Sequence, residues 1–254
     1  MGLPIGTLVP RLAEIKAGIG ASEASYGTAI AIGGVGALAG NYLGSHLVHH
    51  FGTRAVGRRM FYFIIAANFA NALAPNALWL GVIGLSSGFA YSITNIAMNS
   101  QGVLIEQGIG RSFLPKGHGT WSVGTMIAAV LSSLAAPYCT PMQALAVMDS
   151  VSIVGFYFMT RHMLPPDFDD RPHNDASQLP RDERIPRNTL NFLMLIALGQ
   201  WLGLIAEISC GDWSSVLLHE HFHVAIGPNG YGFAVFMLAQ LTVRLLSPRM
   251  IDAR

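Results

Sequence analysis

Near its C-terminal end the chain contains His219-Glu220-x-x-His223, which has the residue types and spacing of a zinc site. Two histidines four residues apart on a helix can hold a zinc ion, and the glutamate between them can activate a bound water. Here the predicted helix ends before the motif and a turn at 227–230 follows it, so the ligand geometry is poorly fixed and a third ligand is not evident. We therefore expect no metal centre, and an intramembrane zinc protease remains the enzyme alternative.

A second group of residues could bind a polar solute or carry protons, because each lies within an apolar segment where polar groups are costly and usually functional. A tryptophan there can stack on a ring, an amide can hydrogen-bond a solute, and a carboxyl can carry a proton. Gln200 and Glu207 are seven residues apart and so share a helix face. Hydrogen bonding between helices, without any solute, is the alternative for each polar group. The candidates are Asn95, Asn99, Trp121, Asp149, Gln200 and Glu207.

The composition indicates the environment of these candidates. The 254 residues include 15 Lys and Arg and 14 Asp and Glu, or 11% charged residues, against roughly 25% in a typical soluble domain. The mean hydropathy is +0.45. Such a chain cannot cover its own surface with charge, which excludes disorder, a nucleic-acid partner and most soluble enzymes. The two cysteines predict neither a disulfide framework nor a thiolate metal cluster, and no pattern predicts a cofactor.

The charged residues leave long uncharged windows that predict membrane-spanning helices, each of which needs about 20 apolar residues. The runs are continuous rather than alternating, which favours helices over barrel strands. Residues 1–17 are too short to span alone and are interpreted as the second half of a further helix. The fold class is thus an all-α polytopic membrane protein with one partial and seven full helices. The full spans are predicted at 25–48, 57–75, 77–101, 117–137, 142–164, 189–213 and 230–250.

The basic residues predict the orientation of these helices. If the chain crosses the membrane at every span, Arg11 and Lys16 fall on one side and all other basic residues on the opposite side, which the positive-inside rule makes cytoplasmic. The longest polar segment, at 165–188, is then a cytoplasmic linker. The residues on the cytoplasmic side are Arg54, Arg58, Arg59, Arg111, Lys116, Arg161, Arg171, Arg181, Arg184, Arg187, Arg244, Arg249 and Arg254.

Small-residue spacing and a weak internal repeat add to this pattern. Gly36, Gly40 and Gly44 recur every four residues, which predicts a helix face that allows close approach of a neighbouring helix. The segment 44–49 resembles the segment 247–252, and each ends a predicted span that a Tyr-Gly pair opens. Two similar halves around a polar linker are typical of transporters built from repeated bundles.

The loop that follows the second predicted helix carries a family resemblance. Its Gly44, Leu47, Gly52 and Arg54 match the Gly-x-x-Leu-x-Asp-Arg-x-Gly-x-Arg signature of the major facilitator superfamily, with His49 and then a second histidine in place of the Asp-Arg pair. Further segments resemble a bacterial inner-membrane permease branch of that superfamily related to sugar permeases. They are Ala97-Met98-Asn99, His118-Gly119-Thr120-Trp121-Ser122, Ala206-Glu207 and Asp212-Trp213.

The resemblance implies a partial major-facilitator fold. Residues 1–164 would form an N-terminal bundle with an incomplete first helix, 165–188 the cytoplasmic linker, and 189–254 the first two helices of a C-terminal bundle. A twelve-helix transporter would have about four more helices, so the resemblance implies truncation at both ends, and we expect no transport from residues 1–254 alone.

The function implied by the resemblance is secondary active transport of a small polar solute by alternating access, with proton coupling as an option. The implied location is the bacterial inner membrane. The expected partners are the small-molecule solute and the lipid bilayer, without nucleic acid, and the oligomeric state stays open. A non-transporting remnant of a transporter and the zinc protease are the alternatives.

Overall fold

The computed structural model describes residues 1–110, 113–165 and 186–252, and the chain is almost entirely helical over these ranges, with no strand among them. The helices are α1 (Gly2–Leu8), α2 (Leu12–Gly18), α3 (Glu23–Phe51), α4 (Thr53–Ala72), α5 (Ala77–Ile109), α6 (Leu114–Ala135), α7 (Pro141–Thr160), α8 (Arg187–Glu220) and α9 (Tyr231–Asp252). Short 3-10 turns at Val9–Arg11 and Pro228–Gly230 precede α2 and α9. The all-helical fold class predicted from the uncharged windows is confirmed.

The predicted helices correspond one to one with α3 to α9. The predicted partial span at 1–17 is the α1–α2 pair, broken at a 3-10 turn that contains Pro10. Proline lacks the amide hydrogen that a regular helix donates at this position, which explains the break. The largest differences are at α5 and α8, which continue past the predicted ends at residues 101 and 213.

Local signals in the sequence explain several helix ends. Asn76 begins α5 by accepting a hydrogen bond from the Trp79 amide at 2.9 Å. Thr140 and Gln143 form a reciprocal capping box at the start of α7. Gly110, in the left-handed conformation, ends α5. Each device satisfies backbone groups that a helix end leaves unpaired.

By length and apolar composition, three helices in the described ranges are suited to cross a membrane, namely α5, α7 and the Thr189–Glu220 part of α8. The helices α3, α4, α6 and α9 are 20 to 29 residues long. The predicted linker falls outside the described residues except at its two ends.

The predicted glycine face of α3 packs directly against α5. A methyl group placed on Gly36 would collide with the backbone carbonyl oxygen of Leu85, and one on Gly40 would collide with that of Phe89. A methyl on Gly44 would lie 2.6 Å from the Ile96 side chain. The glycines therefore allow the two helix backbones to touch, which confirms the close approach predicted from their spacing.

The main apolar core joins the N-terminal helices to α8 and α9. It contains Leu12 of α2, Tyr26 of α3, Ala129 of α6, Val216 of α8 and Met237 of α9, all of them buried. The last turns of α8 are thus held against α2 and α3, and this contact positions the polar groups described next.

Candidate functional site

Asp149 of α7 is one of the predicted coupling residues, and it lies fully inside the helix bundle. The Asn68 side chain of α4 donates a hydrogen bond from Nδ2 to the two Asp149 carboxylate oxygens, at 3.2 and 3.4 Å. The same Nδ2 lies 3.3 Å from the Pro4 carbonyl oxygen of α1. Asn68 and Asp149 are 5% and 3% exposed. This buried group connects three helices, which fits the interhelical hydrogen-bond alternative, and the coupling role of Asp149 stays a prediction.

The predicted solute-binding groups of α5 and α6 lie in two different environments. The Asn99 side chain donates from Nδ2 to the Asn95 side-chain oxygen Oδ1 one turn earlier, at 2.9 Å. Asn95 is exposed and Asn99 is partly buried, so this amide pair lies at the surface of α5. Trp121 of α6 is partly buried and packs against the main apolar core. An exposed amide pair can hydrogen-bond a solute, whereas the Trp121 ring has part of its surface occupied by protein.

Gln200 lies on the first half of α8 and Glu207 lies beyond the midpoint, and the two ends of this helix have different surroundings. Gln200 is exposed and Glu207 is partly buried. No residue in the most apolar stretch of α8 is buried against the rest of the described chain. The final two turns, in contrast, include Ser215 and Val216, which are 0% and 3% exposed.

The final turns of α8 meet α2 and α3 through an ion pair and an aromatic contact. We call the contact formed by Lys16, Tyr26, Asp212, Trp213 and Glu220 the α8 junction. The Lys16 ammonium lies 2.5 and 2.7 Å from the two Glu220 carboxylate oxygens. The Lys16 side chain is 5% exposed and that of Glu220 is 31% exposed. A lysine so deeply buried needs its counter-ion, so this pair holds the start of the chain to the end of α8.

Tyr26 forms the second half of the α8 junction. Its hydroxyl donates to the Asp212 backbone carbonyl oxygen at 3.0 Å. Its ring meets the Trp213 ring edge to face, with centroids 5.3 Å apart and planes at 85°. Nearby, the Ser215 hydroxyl donates to the Val9 carbonyl oxygen at 3.1 Å. Such aromatic pairs contribute beyond their buried area, and they fix the rotation of α8 against α3.

A second charged pair lies beside the junction, at the turn between α1 and α2. Arg11 is fully buried; its NH1 group donates to Glu14 at 2.8 Å and its NH2 group donates to the Cys139 carbonyl oxygen at 2.5 Å. Glu14 is also within electrostatic range of His219. Arg11 thereby ties the α1–α2 turn to the connection between α6 and α7.

The histidine motif is placed differently from the sequence prediction. The prediction that the preceding helix ends near residue 213 is wrong, because α8 continues through Glu220 and includes His219 in its last turn. His223 lies beyond the helix end in a left-handed conformation, with φ of 54°. Glu220 binds Lys16, and the His219 Nδ1 atom lies 2.9 Å from the Val224 carbonyl oxygen. The described residues contain no group of three potential ligands that could hold a metal ion.

The residues of the predicted loop signature connect α3 to α4. Gly52 joins the two helices alone, with φ of 79° and ψ of 148°, a conformation that favours glycine. Gly44 is buried against α5, Leu47 is partly buried and His49 is exposed. The Nε atom of Arg54 is buried without a hydrogen-bond partner among the described residues.

The sequence predictions missed the α8 junction. Lys16 and Arg11 are the two basic residues assigned to the external side, and Glu220 was considered only within the zinc motif. The signal available was the presence of these charges near the ends of two apolar helices that were predicted to lie on the same side of the membrane. Opposite charges at such positions need partners, and pairing Lys16 with Glu220 would have satisfied both.

No family model matches the chain. It is 25% identical over 252 residues to an uncharacterized transporter of Sinorhizobium fredii, covering 98% of this chain and 64% of the relative. It is 27% identical over 256 residues to an uncharacterized MFS-type transporter of Yersinia pestis, covering 99% of this chain and 63% of the relative. The chain thus spans less than two thirds of the curated relatives that it matches, and both are named as transporters and not as enzymes.

A solved structure supports the same fold. The chain resembles the crystal structure of the nucleoside transporter NupG with a TM-score of 0.69 and 14% sequence identity, over 99% of this chain and 65% of that one. At this identity the likeness concerns the fold. The relatives and this fold together confirm the resemblance to the major facilitator superfamily, and the described chain is a membrane-embedded, partial major-facilitator fold.

Proposed function

We propose that the chain acts in secondary active transport of a small polar solute by alternating access. The observation that carries this proposal is the contrast along α8. Its last turns are closed against α2 and α3 by the α8 junction, while its other half has no buried residue in the described chain. In alternating access, two helix groups close at one end of a central site while they open at the other.

Polar groups on α5 and α8 supply the solute contacts in this proposal. Gln200 and Glu207 share one face of α8, and Asn95 and Asn99 offer amide groups on α5. Amides and a carboxylate recognise hydroxyl and amine groups by hydrogen bonds, while Trp121 supplies an aromatic surface. A sugar or a nucleoside has both features, hydroxyl groups and a ring face.

The orientation belongs to the same proposal, with the open half of α8 and the 165–188 linker on the cytoplasmic side of the bacterial inner membrane. The distribution of basic residues supports it. In a background with Cys139→Ser and Cys210→Ser, Tyr138→Cys lies on the exposed connection between α6 and α7 and serves as the external control. An impermeant maleimide added to intact cells should label Tyr138→Cys and not Asp175→Cys. Labelling of Asp175→Cys in sealed cells would contradict the orientation.

Transport itself is tested with purified chain in proteoliposomes. Uptake of labelled monosaccharides and nucleosides is measured against empty liposomes, with and without a pH gradient, and solute-driven exchange is measured in parallel. Residues 1–254 alone are not expected to transport, because alternating access needs two helix bundles around one site. The proposal therefore predicts saturable uptake of one class by this chain fused to the C-terminal segment of the longer Yersinia pestis relative, with weaker apparent affinity in Glu207→Gln. Uptake by the relative and none by the fused chain would favour a non-transporting remnant.

A further inference from the structure

We propose that three arginines at one end of α4 and α7 bind the phosphate headgroup of an anionic phospholipid. We call Arg58, Arg59 and Arg161 the arginine site. One acyl chain of the same lipid lies in the apolar groove that α3, α4 and α5 form beside it. This inference concerns the surrounding bilayer and not the transported solute, so it is independent of the proposed transport function.

The packing of α4 against α7 brings the members of the arginine site to one end of the helix bundle. The Phe61 ring of α4 stacks on the Phe156 ring of α7, with centroids 3.7 Å apart. Gln101 of α5 donates to the Thr53 hydroxyl at the start of α4, at 2.6 Å, and accepts from the Leu164 amide just after α7, at 3.0 Å. The start of α4 therefore lies beside the end of α7, and the arginine site lies between this end and the aromatic stack.

Arg161 is held in place on the exposed surface of α7. Its NH2 group donates to the Tyr157 hydroxyl at 2.8 Å, and its guanidinium lies 4.7 Å from the centre of the Tyr157 ring and 5.6 Å from that of Phe158. Tyr157 and Phe158 are 45% and 55% exposed, at the end of a helix apolar enough to cross a membrane. Exposed aromatic side chains at the end of such a helix lie at the depth of the lipid headgroups. The Arg161 guanidinium is therefore placed and oriented in the headgroup layer.

The arginine site has no counter-ion in the part of the chain that the structure describes. Arg59 and Arg161 are exposed and Arg58 is partly buried. The ion pairs of the described residues are those of Arg11 and Lys16, near the other end of α3. Guanidinium groups match the oxygen atoms of a phosphate with paired hydrogen bonds. Basic clusters between membrane helices at headgroup depth accordingly bind anionic lipids.

An apolar groove beside the arginine site provides a place for an acyl chain. By helical spacing, residues 58, 59, 62 and 63 form one continuous arc of α4, so Phe63 lies one turn deeper in the membrane than Arg59. Phe63 is 47% exposed. The groove is lined by Phe63, by Val35 and Ala39 of α3, and by Leu85 and Phe89 of α5. A phosphate next to a groove of this kind is the chemistry of a phospholipid, whereas a soluble anion leaves the groove unused.

Native mass spectrometry of the whole chain tests the headgroup contact, with phosphatidylglycerol and phosphatidylcholine of the same acyl chains as probes. The chain should retain phosphatidylglycerol in preference. Arg58→Gln/Arg161→Gln should weaken its binding about tenfold, because two charge-assisted contacts to the phosphate are lost. The control Lys116→Gln/Arg187→Gln removes the same charge at exposed positions outside the site and should keep the preference. Equal losses in the two double variants, or no preference in the unsubstituted chain, would overturn the proposal.

A single substitution at an exposed position carries the test if the double variant does not fold. Arg59→Gln should weaken the binding of phosphatidylglycerol and leave that of phosphatidylcholine unchanged. Lys116→Gln is its control and should change neither. Binding of phosphatidylglycerol that is as strong in Arg59→Gln as in Lys116→Gln would contradict the role of Arg59 in the site.

The groove and the identity of the anion are tested in the same experiment. Ala39→Trp narrows the groove without changing charge, so it should weaken binding of long-chain phosphatidylglycerol and leave the dihexanoyl form unchanged. Inorganic phosphate should not displace the long-chain lipid. Displacement by inorganic phosphate would assign the arginines to a soluble anion and overturn the lipid as their ligand.

The acidic residues of the linker are the competing partner within the chain. Asp167→Asn/Asp169→Asn/Asp170→Asn neutralises the three that follow α7 most closely in the sequence. The proposal predicts the same preference for phosphatidylglycerol in this variant as in the unsubstituted chain. A preference that arises only in the variant would mean that these carboxylates occupy the arginine site, and would overturn the proposal.

Discussion

The two halves of α8 have opposite surroundings. Its last turns are fixed to α2 and α3 by the Lys16–Glu220 pair and the Tyr26–Trp213 contact, and the Ser215 hydroxyl donates to Val9 in the turn before α2. Residues 189–206, which include Gln200, are all exposed. The comparison teaches that apolar composition places a helix in the membrane, whereas a few polar contacts decide which end of it is closed against its neighbours.

Breaking the Lys16–Glu220 ion pair should lower the stability of the protein more than the other substitutions described below. Glu220→Gln leaves the buried Lys16 ammonium without a counter-ion, which costs about 3 kcal/mol of stability. Thermal unfolding in detergent should show the loss. The double variant Lys16→Met/Glu220→Gln should recover much of it, because no charge is left unpaired. The exposed Glu23 gives the control, and Glu23→Gln should change stability little. Equal effects at Glu23 and Glu220 would show that the pair does not hold the junction.

A glycine substitution tests packing inside the N-terminal helices, away from α8. Gly36→Ala places a methyl group against the Leu85 carbonyl oxygen and should destabilise the protein by about 2 kcal/mol. Gly34, two residues earlier on α3, has open space around it. Gly34→Ala should be neutral or slightly stabilising, because alanine favours helix over glycine by about 1 kcal/mol. If the two variants unfold at the same temperature, the close contact of α3 and α5 is contradicted.

The smallest loss of stability is expected when the buried Asn68 side chain of α4 is replaced. Asn68→Leu removes the hydrogen bonds to Asp149 and should cost about 1 to 2 kcal/mol. The matched control is Asn71→Leu on the same helix, since no hydrogen bond of the Asn71 side chain is described. Neither variant should alter the α8 junction. A change in junction opening with Asn68→Leu would mean that the two regions are coupled and would sharpen the contrast drawn above.

The sequence was sufficient for the helical framework because long uncharged windows and glycine spacing are local features. It placed α3 to α9 and identified the face around Gly36. It ended α8 too early because Ser214, Ser215 and Glu220 lower the apolarity of its last turns, although packing of Val216 against the core keeps these turns helical. It missed the Lys16–Glu220 pair because the partners are far apart in sequence and only tertiary packing brings them together.

For the candidate site, too, sequence spacing predicts the relations within one helix, and tertiary packing decides the relations between helices. Spacing alone placed Asn95 and Asn99 one turn apart and put Gln200 and Glu207 on one helix face. Both pairs have these positions on the continuous helices of the structure. Spacing could not tell that Asp149 of α7 meets Asn68 of α4, or that Asp212 lies at the contact with Tyr26. Those relations depend on the rotation and depth of each helix, which the packing of neighbours decides.

Distance measurements by double electron–electron resonance test the reciprocal opening most directly. In the background without native cysteines, one label pair is placed across the junction at Ala17 and His221, and another across the opposite end at Phe51 and Leu190, all exposed positions. We expect Glu220→Gln to add longer label-to-label distances for the pair across the junction and shorter distances for the pair at the opposite end. Unchanged distances, or changes of the same sign in both pairs, would contradict alternating closure around α8.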